Sequence, residues 1–577
     1  MGEYLQRRIE AASRGVNYTD PIRVDLGKRF YNWDKNNFQP RVSVAWSPNV
    51  KHGLLGFIFG GEEKSVIRAG FAITNDYFGQ QLAVTFNAQN QLGFSSAQTI
   101  PANTYNVTTR PAPLFTGFNQ SIRTLPGITI PPRLTFPQQQ PADNRRRIES
   151  SLDSNLVSPI NYSWNLSFQR QLPAGMILEV AYVGRAARNL LAGRDVVQPN
   201  LNFTDPKSGQ TWTQAATILE MLRASNTPIA NVQPLPFFEN LYAPGSLGPI
   251  FFGVSTLTNT QAVYAMAAAT APGCATVGCY EIGNDWTTIQ DLLDGFSGKQ
   301  YFYQPQYGAL AVYSTIASSD YHAGTLTLRQ RFRNSLSVDF NYTFSKSMDD
   351  VSGLQTDAPF TPFILNAVNL KQQRSVSDFD IRHIINANAI WQLPFGQGHA
   401  FLGNVSKLAE AFIGGWQLSM IFRWNTGLPV DAPLDFGGWP TNWNRRSYTV
   451  RIRPLEANPN RGGANPPNLF SDPQAAYQSF RSARPGERGD RNILRYPGYV
   501  VLDAGLSKSW TMPWSENHKL QFRWEVFNVT NTQRLTSVDG WVQGLDPFNS
   551  TKNPTFGNLT AIQGTPRVMQ FGLRYSF

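Results

Sequence analysis

No run of about 18 or more apolar residues occurs in the chain, which excludes a membrane-spanning helix. The mean hydropathy of −0.31 is also too polar for a helical membrane protein. Charge is scarce, with Asp, Glu, Lys and Arg making up 15% of 577 residues. No GxxxxGK[ST] phosphate loop, glycine-rich dinucleotide turn or HExxH motif is present, so the commonest nucleotide and zinc-hydrolase chemistries have no foothold. The five histidines, His52, His322, His383, His399 and His518, are mostly far apart in sequence. Cysteine is reduced to Cys274 and Cys279, within APGCATVGCY. Two cysteines so close in a Gly-containing loop are expected to form a small disulfide in an oxidising compartment; the alternative is a pair of free thiols. A metal site would need further ligands, and none is near in sequence. An apolar leader is missing as well: Met1-Gly2-Glu3-Tyr4 runs directly into Arg7, Arg8 and Glu10.

What is abundant is aromatic: 38 Phe, 21 Tyr and 14 Trp make 13% of the chain. Aromatic-rich, lightly charged and polar on average is the composition of a β wall that is apolar on one face and wet on the other. The formal charge of +11 does not point to nucleic acid, because the 50 basic residues are scattered and Arg145-Arg146-Arg147 is the densest cluster. Basic loops facing anionic lipopolysaccharide or an acidic solute are the expected use of that charge.

The two-residue period of a strand is clearest at the end of the chain. Met569, Phe571, Leu573, Tyr575 and Phe577 alternate with Gln570, Gly572, Arg574 and Ser576. The period recurs in Leu336–Phe344, in Trp416–Trp424 with Ile421 as the exception, in Leu520–Val526 and in Tyr162–Phe168. With their flanks these runs reach about 9–11 residues, the length of a tilted strand crossing a bilayer. Sustained outward Trp and Phe, concentrated near strand ends, match interfacial girdles better than a soluble sandwich.

The spacing of the runs supports pairing. They fall as 41–47 with 66–74, 161–170 with 176–184, 322–333 with 335–346, 380–393 with 414–426, and 498–509 with 518–530. Links within pairs are short at 171–175, 334 and 510–517, and of intermediate length at 48–65 and 394–413. Links between pairs are longer in every case: 75–160, 185–321, 347–379, 427–497 and 531–565. Short periplasmic turns and long extracellular loops are the rule for bacterial barrels, and they place Phe577 at the periplasmic side. Five pairs and the final strand make eleven, with the Gly308–Thr315 region as a place where a pair could be hidden. Eleven is half of a 22-stranded barrel, the size whose lumen is filled by a plug. The fold class expected is therefore all-β, an antiparallel transmembrane β-barrel, here the C-terminal part of a 22-stranded one with long extracellular loops. Residues 1–36 are expected to be a loop or a truncated strand, and 37–577 the barrel portion. The absent leader points the same way, to a fragment or a misplaced start.

Several phrases resemble the Oar-like TonB-dependent receptors of acidobacterial type. They include NFQPRVSVAWSP (37–48), SWNLSFQRQL (163–172), LEVAYVGR (178–185) and RQRFRNSLSVDFNYTFSKSMDD (329–350). SDFDIRHIINANAIWQLPFG (377–396), GGWQLSMIFRWNTGLP (414–429), LDAGLSKSW (502–510) and FRWEVFNVTN (522–531) follow in order. The resemblance implies a Gram-negative outer-membrane receptor that takes up a large or scarce solute, such as a carbohydrate or metal chelate, with energy supplied through TonB. In that family a β-sandwich, a plug and a TonB box precede the barrel, and none is recognisable here. A passive porin or a surface adhesin is the alternative. No enzymatic activity and no cofactor are expected.

The inward positions Asp339, Asn341, Gln417, Arg423, Arg523, Glu525 and Arg574 are the candidates to line a lumen, where they contact solute or plug or fill a wet interior with paired charge. Phe571, Leu573, Tyr575 and Phe577 resemble the signal read by the barrel-assembly machinery. His383, beside Asp378, Asp380 and Arg382, is either a binding or acid–base cluster or, as expected here, part of a rim hydrogen-bond network. Asp349-Asp350 invites a calcium interpretation, but a solvated loop is expected because calcium loops need more ligands at set spacing. Phe436, Trp439, Asn442 and Trp443 are candidates for stacking on sugars or siderophores, or for an ordinary loop core.

Overall fold

The computed structural model describes residues 2–23, 31–76, 147–268, 286–333, 335–353, 363–438, 446–455, 457, 467–539 and 551–577. Eleven strands pair antiparallel in chain order into one wall: β1 (Arg41–Trp46), β2 (Ser65–Asn75), β3 (Ile160–Gln171), β4 (Met176–Asp195), β5 (Tyr307–Arg333), β6 (Leu336–Asp349), β7 (His383–Gln392), β8 (Trp416–Asn425), β9 (Tyr499–Met512), β10 (Ser515–Phe527) and β11 (Val568–Ser576). They are the eleven segments marked by the two-residue period. Gly308–Thr315 is the outer part of β5, not a hidden pair. Among the described residues β1 and β11 are the edges of this sheet, each with one strand neighbour.

The register gathers apolar side chains on one face. One row runs Val44, Ala69, Leu166, Tyr182, Gly324, Phe344, His383 from strand to strand. Another runs Leu336, Trp391, Leu418, Leu506, Trp524, Phe571. A one-residue slip would turn either row to the polar side, so alternation and pairing enforce each other. Ile421, the exception to the pattern, falls on the polar face opposite Asn388 and Asp503. At Gly184 the wall admits no side chain, since a Cβ there would lie 2.3 Å from the indole of Trp164. The tight turns use left-handed backbone at Ala174 and Gly175, and again at Ser335.

Helices occupy the links: α1 (Gly2–Ser13), α2 (Gly53–Phe59), α3 (Trp212–Ala224), α4 (Pro236–Leu241), α5 (Leu247–Phe252), α6 (Asn259–Ala268), α7 (Trp286–Phe296) and α8 (Lys407–Ile413). α3 to α7 lie between β4 and β5 and bury a core of their own that includes Phe203, Trp212, Leu219, Phe237, Phe238, Tyr264 and Phe302. α3 begins with a capping box in which Thr211 and Gln214 satisfy each other's backbone N–H. Segment 185–321, which reads as an irregular loop, thus continues β4 and β5 at its ends, and its described residues between them form a folded helical unit on the long-loop side. It stands on β4 and β5, which run to 20 and 27 residues, well past the length that crosses a bilayer. Their register shifts around Asn189, whose φ is 58°, and beyond it Arg147–Leu152 joins β5 in parallel.

Residues 2–13, expected as a loop or truncated strand, form α1 instead. The reason is tertiary: Leu5 packs with Val196, Val197, Tyr307 and Leu310, and Ala12 joins the helical core. Arg8 is buried beneath this helix and donates to the carbonyl oxygens of Phe302 (3.0 Å), Tyr18 (3.0 Å) and Gln198 (3.3 Å). A second core on the long-loop side combines Leu469, Phe470, Tyr477 and Phe480 with Leu535, Phe556 and Leu559, which ties the last two long links together.

Candidate functional site: the polar face and the extracellular rim

All seven lumen candidates lie on the polar face, as their alternation requires. They do not form one cluster. Asp339 accepts from Arg329 Nε (3.0 Å) and from Asn341 Nδ2 (2.7 Å), and Asn341 Oδ1 accepts from Thr327 Oγ1 (2.9 Å). Glu525 pairs with Arg523 (2.5 Å) and accepts from Gln570 Nε2. Arg574 stands opposite Gln521, Gln417 opposite Gln392 and Ser507, and Arg423 opposite Asn386 and Val501. Arg423 and Arg574 have no ion pair among the described residues. The face is therefore a ladder of hydrogen-bonded polar groups on which several cations, Arg423, Arg574, Arg185 and Lys519 among them, have no ion pair among the described residues, suited to water, an anionic group or a polar protein surface. Arg329, Thr327 and Gln570 complete the ladder; the same alternation marks them, one strand away.

The rim is more highly organised. Arg491, on the long link before β9, pairs with Asp349 at the end of β6 (2.7 Å) and with Asp378 before β7 (2.9 Å). It also donates to Ser352 Oγ (2.5 Å). Arg495 pairs with Asp380, and Arg374 with Asp320 and with Asp350 (3.4 Å). Asn492 donates from Nδ2 to Asp378 (2.7 Å), and its backbone N–H bonds to Asp431 (3.0 Å). Burial alone would lower the Arg491 guanidinium, yet Asp349 and Asp378 hold it above its ordinary range. Burial, with Asp378 adding to it, raises Asp431 above the usual carboxylate range. Asp349 is thus not in a solvated loop: it is buried, because the arginine that neutralises it arrives from 142 residues away. No group of three or more His, Cys, Asp or Glu able to hold a metal occurs among the described residues.

His383 is not part of that carboxylate network. It sits on the apolar face, where its Nδ1 and the Tyr342 hydroxyl share a hydrogen bond of 2.8 Å and Phe344 and Trp424 flank the ring. His322 makes the same pair with Tyr182 (2.7 Å), and His518 with Tyr575 (2.7 Å). Two of these pairs lie toward the long-loop end and the third at the short-turn end, so one ring nitrogen of each histidine is satisfied at the height of an aromatic girdle. Phe571, Leu573, Tyr575 and Phe577 are all exposed on the apolar face of the last strand. Cys274, Cys279, Trp439, Asn442 and Trp443 lie outside the described residues, as does the side chain of Phe436.

A sheet whose continuous outer surface is apolar and girdled by aromatic rings, and whose inner surface is a polar ladder, is the wall of an outer-membrane β-barrel. The family described as outer membrane beta barrel domain matches residues 8–570, and the chain belongs to it. The protein is accordingly an outer-membrane protein. Among solved structures it is similar to the outer membrane transporter YddB from Escherichia coli, at 9% identity and a TM-score of 0.35, over 89% of this chain and 38% of that one. It is similar also to the siderophore receptor PiuA from Acinetobacter baumannii (7%, TM-score 0.32, 93% and 35%) and to the FrpB iron transporter from Neisseria meningitidis (8%, TM-score 0.31, 93% and 39%). The chain spans less than half the length of these structures. No curated protein matches it.

Proposed function

We propose that this chain forms part of the wall of a TonB-dependent receptor of the Oar-like, acidobacterial type, which takes up a large or scarce solute through the outer membrane of a Gram-negative cell. The observation that carries this proposal is the wall of eleven strands among the described residues, in which β1 and β11 each have one strand neighbour. An unpaired edge in hydrocarbon costs several kcal/mol for each exposed backbone group, so further strands must pair with β1 and β11. Eleven more would close a barrel of 22, wide enough to need a plug, and the plug would carry the contact with TonB. The unpaired Arg423 and Arg574 favour an anionic solute or plug surface, and the outward Phe571, Leu573, Tyr575 and Phe577 suit recognition by the assembly machinery. Basic loops on the long-loop side would meet lipopolysaccharide.

The coding sequence immediately upstream of Met1 tests this at little cost: a plug and a TonB box are expected there. The full-length product, reconstituted in planar bilayers, should be closed to ions and should bind the periplasmic domain of TonB. A steady open conductance with no TonB binding would overturn the proposal in favour of a passive porin. The cored helical unit above β4 and β5 favours a second role as a surface-binding module; adhesion that persists without TonB would assign it to that role.

A further inference from the structure

Two links on the short-turn side are long enough to fold, and both fold as short helices on the outside of the wall. α2, with the sequence GLLGFIF, sets Phe59 edge-on to Trp46 and Phe168, with ring centres 6.2 and 6.0 Å apart. Both of those rings belong to the apolar face. α8 is held by Trp416 and Trp510, also outward, whose indole N–H groups donate to Phe412 O and Ala411 O at 2.7 Å. Each helix has its C-terminal carbonyls capped by a cation from that same apolar face. Arg170 donates to Phe57 O and to Ile58 O (2.7 Å), while Lys508 donates to Glu410 O (3.0 Å) and Gly414 O. Such a cation satisfies orphan carbonyls and meets the negative end of the helix dipole. The faces turned away from the wall are apolar and uncovered: Leu54 is 75% exposed, Phe57 76%, Leu408 77% and Phe412 70%.

We infer that α2 and α8 are interfacial anchors, with these four side chains seated among the acyl chains of phospholipid in the periplasmic leaflet. The inference rests on the wall being an outer-membrane one, and not on the transport proposal. Lipid is the occupant because the uncovered faces continue the lipid-facing surface, at the height where Trp46, Trp416 and Trp510 mark the headgroup region. Lys51, His52 and Lys407 lie beside the apolar segments, where headgroups would be, and Trp514 is exposed in the neighbouring short turn. Helices of seven residues cannot span a bilayer, but an apolar face of this kind can lie in its boundary.

The test uses the full-length gene product reconstituted in phospholipid vesicles, with its native cysteines, Cys274 and Cys279 among them, replaced by serine and a nitroxide placed in turn at Leu54→Cys, Leu408→Cys and the control Asn404→Cys. Heat-modifiable migration verifies folding of each. At the first two positions, collisions with oxygen should exceed those with water-soluble nickel-EDDA several-fold, with the ratio reversed at the control. Access by nickel-EDDA equal to the control would overturn the inference, as would protection from both reagents, which means a protein surface covers the helix. Photolabelling of the unsubstituted chain with a diazirine phospholipid is the second measurement: adducts are expected within 53–59 and 407–413, and their absence also overturns it.

Discussion

Replacing Arg491 should release the link before β9 from the rim without opening the wall. Its guanidinium and the Asp349 carboxylate are both almost fully buried, at 6% and 4% exposure, so the pair is little screened by solvent. Removing one member of a buried pair leaves an unmatched charge and costs about 3–5 kcal/mol. The contact with Asp378 adds about 0–1 kcal/mol at most, because that carboxylate is largely exposed. Arg491→Met should therefore destabilise the closed form of segment 467–498 by roughly 3–5 kcal/mol, whereas Arg491→Met with Asp349→Asn removes both charges and should recover most of that. Hydrogen exchange at the backbone amides of Asn492 and Tyr496 reads this directly, since both are tied to neighbouring segments, at Asp431 and Leu428. At 1.36 kcal/mol per tenfold, the single variant should exchange on the order of a hundredfold to a few thousandfold faster. Exchange within about threefold of the parent, or a double variant no slower than the single, would refute the assignment of the link's closure to a buried charge pair.

Asp195 lies beyond the bilayer at the outer end of β4, fully buried, and burial pushes its carboxyl up to about 7 against the hydrogen bonds donated by Leu310 and Val197 and the field of Arg8. A raised acid binds more protons folded than unfolded, so its contribution is full below about pH 4 and is lost as pH rises through 7. From 3.8 to about 7 is roughly three units, or about 4 kcal/mol, and Asp195→Asn should flatten the pH dependence of urea unfolding of the helical unit between about pH 4 and 7. Trp212→Ala empties the centre of the helical core and should cost about 3–5 kcal/mol there, seen as protease nicking within 196–306 while heat-modifiable migration persists. Gly184→Ala drives a methyl into the Trp164 ring and should cost about 1–3 kcal/mol in unfolding from lipid, with partial rescue by Trp164→Leu.

The wall was legible because a membrane imposes one simple demand on every strand. Each outward position must be apolar and each inward one need not be, so Leu336–Phe344 or Met569–Phe577 announces both its conformation and its face. The links obey no such uniform rule. Segment 185–321 is punctuated by Gly, Pro and Asn, which hides the helices, although the Thr211-x-x-Gln214 box ahead of an apolar run was a usable signal. The second core on the long-loop side joins Phe470 to Phe556, and the rim joins Arg491 to Asp349, across separations that a single sequence does not reveal. His383 was placed at the rim correctly but grouped with the wrong neighbours. Its parity assigns it to the apolar face, whereas proximity in DFDIRH draws attention to the aspartates, which precede the strand and face the opposite link.

The same parity makes Arg170 and Lys508 violations, since each puts a cation on the face that lipid should cover. A charge in hydrocarbon is costly unless it is paired or reaches the interface, so each must have a partner. Both find one in the helix carbonyls of α2 and α8, and both helices occupy the links, 48–65 and 394–413, that are too long for the short-turn side. The two irregularities of the wall, its misplaced cations and its overlong turns, therefore have a single cause. A turn that folds back onto the lipid face needs a donor there, and a donor on that face is tolerable only beneath such a turn. If this coupling is correct, Lys508→Leu should leave the strands intact and free α8 alone, seen as faster exchange at the Gly414 amide with none at Leu506.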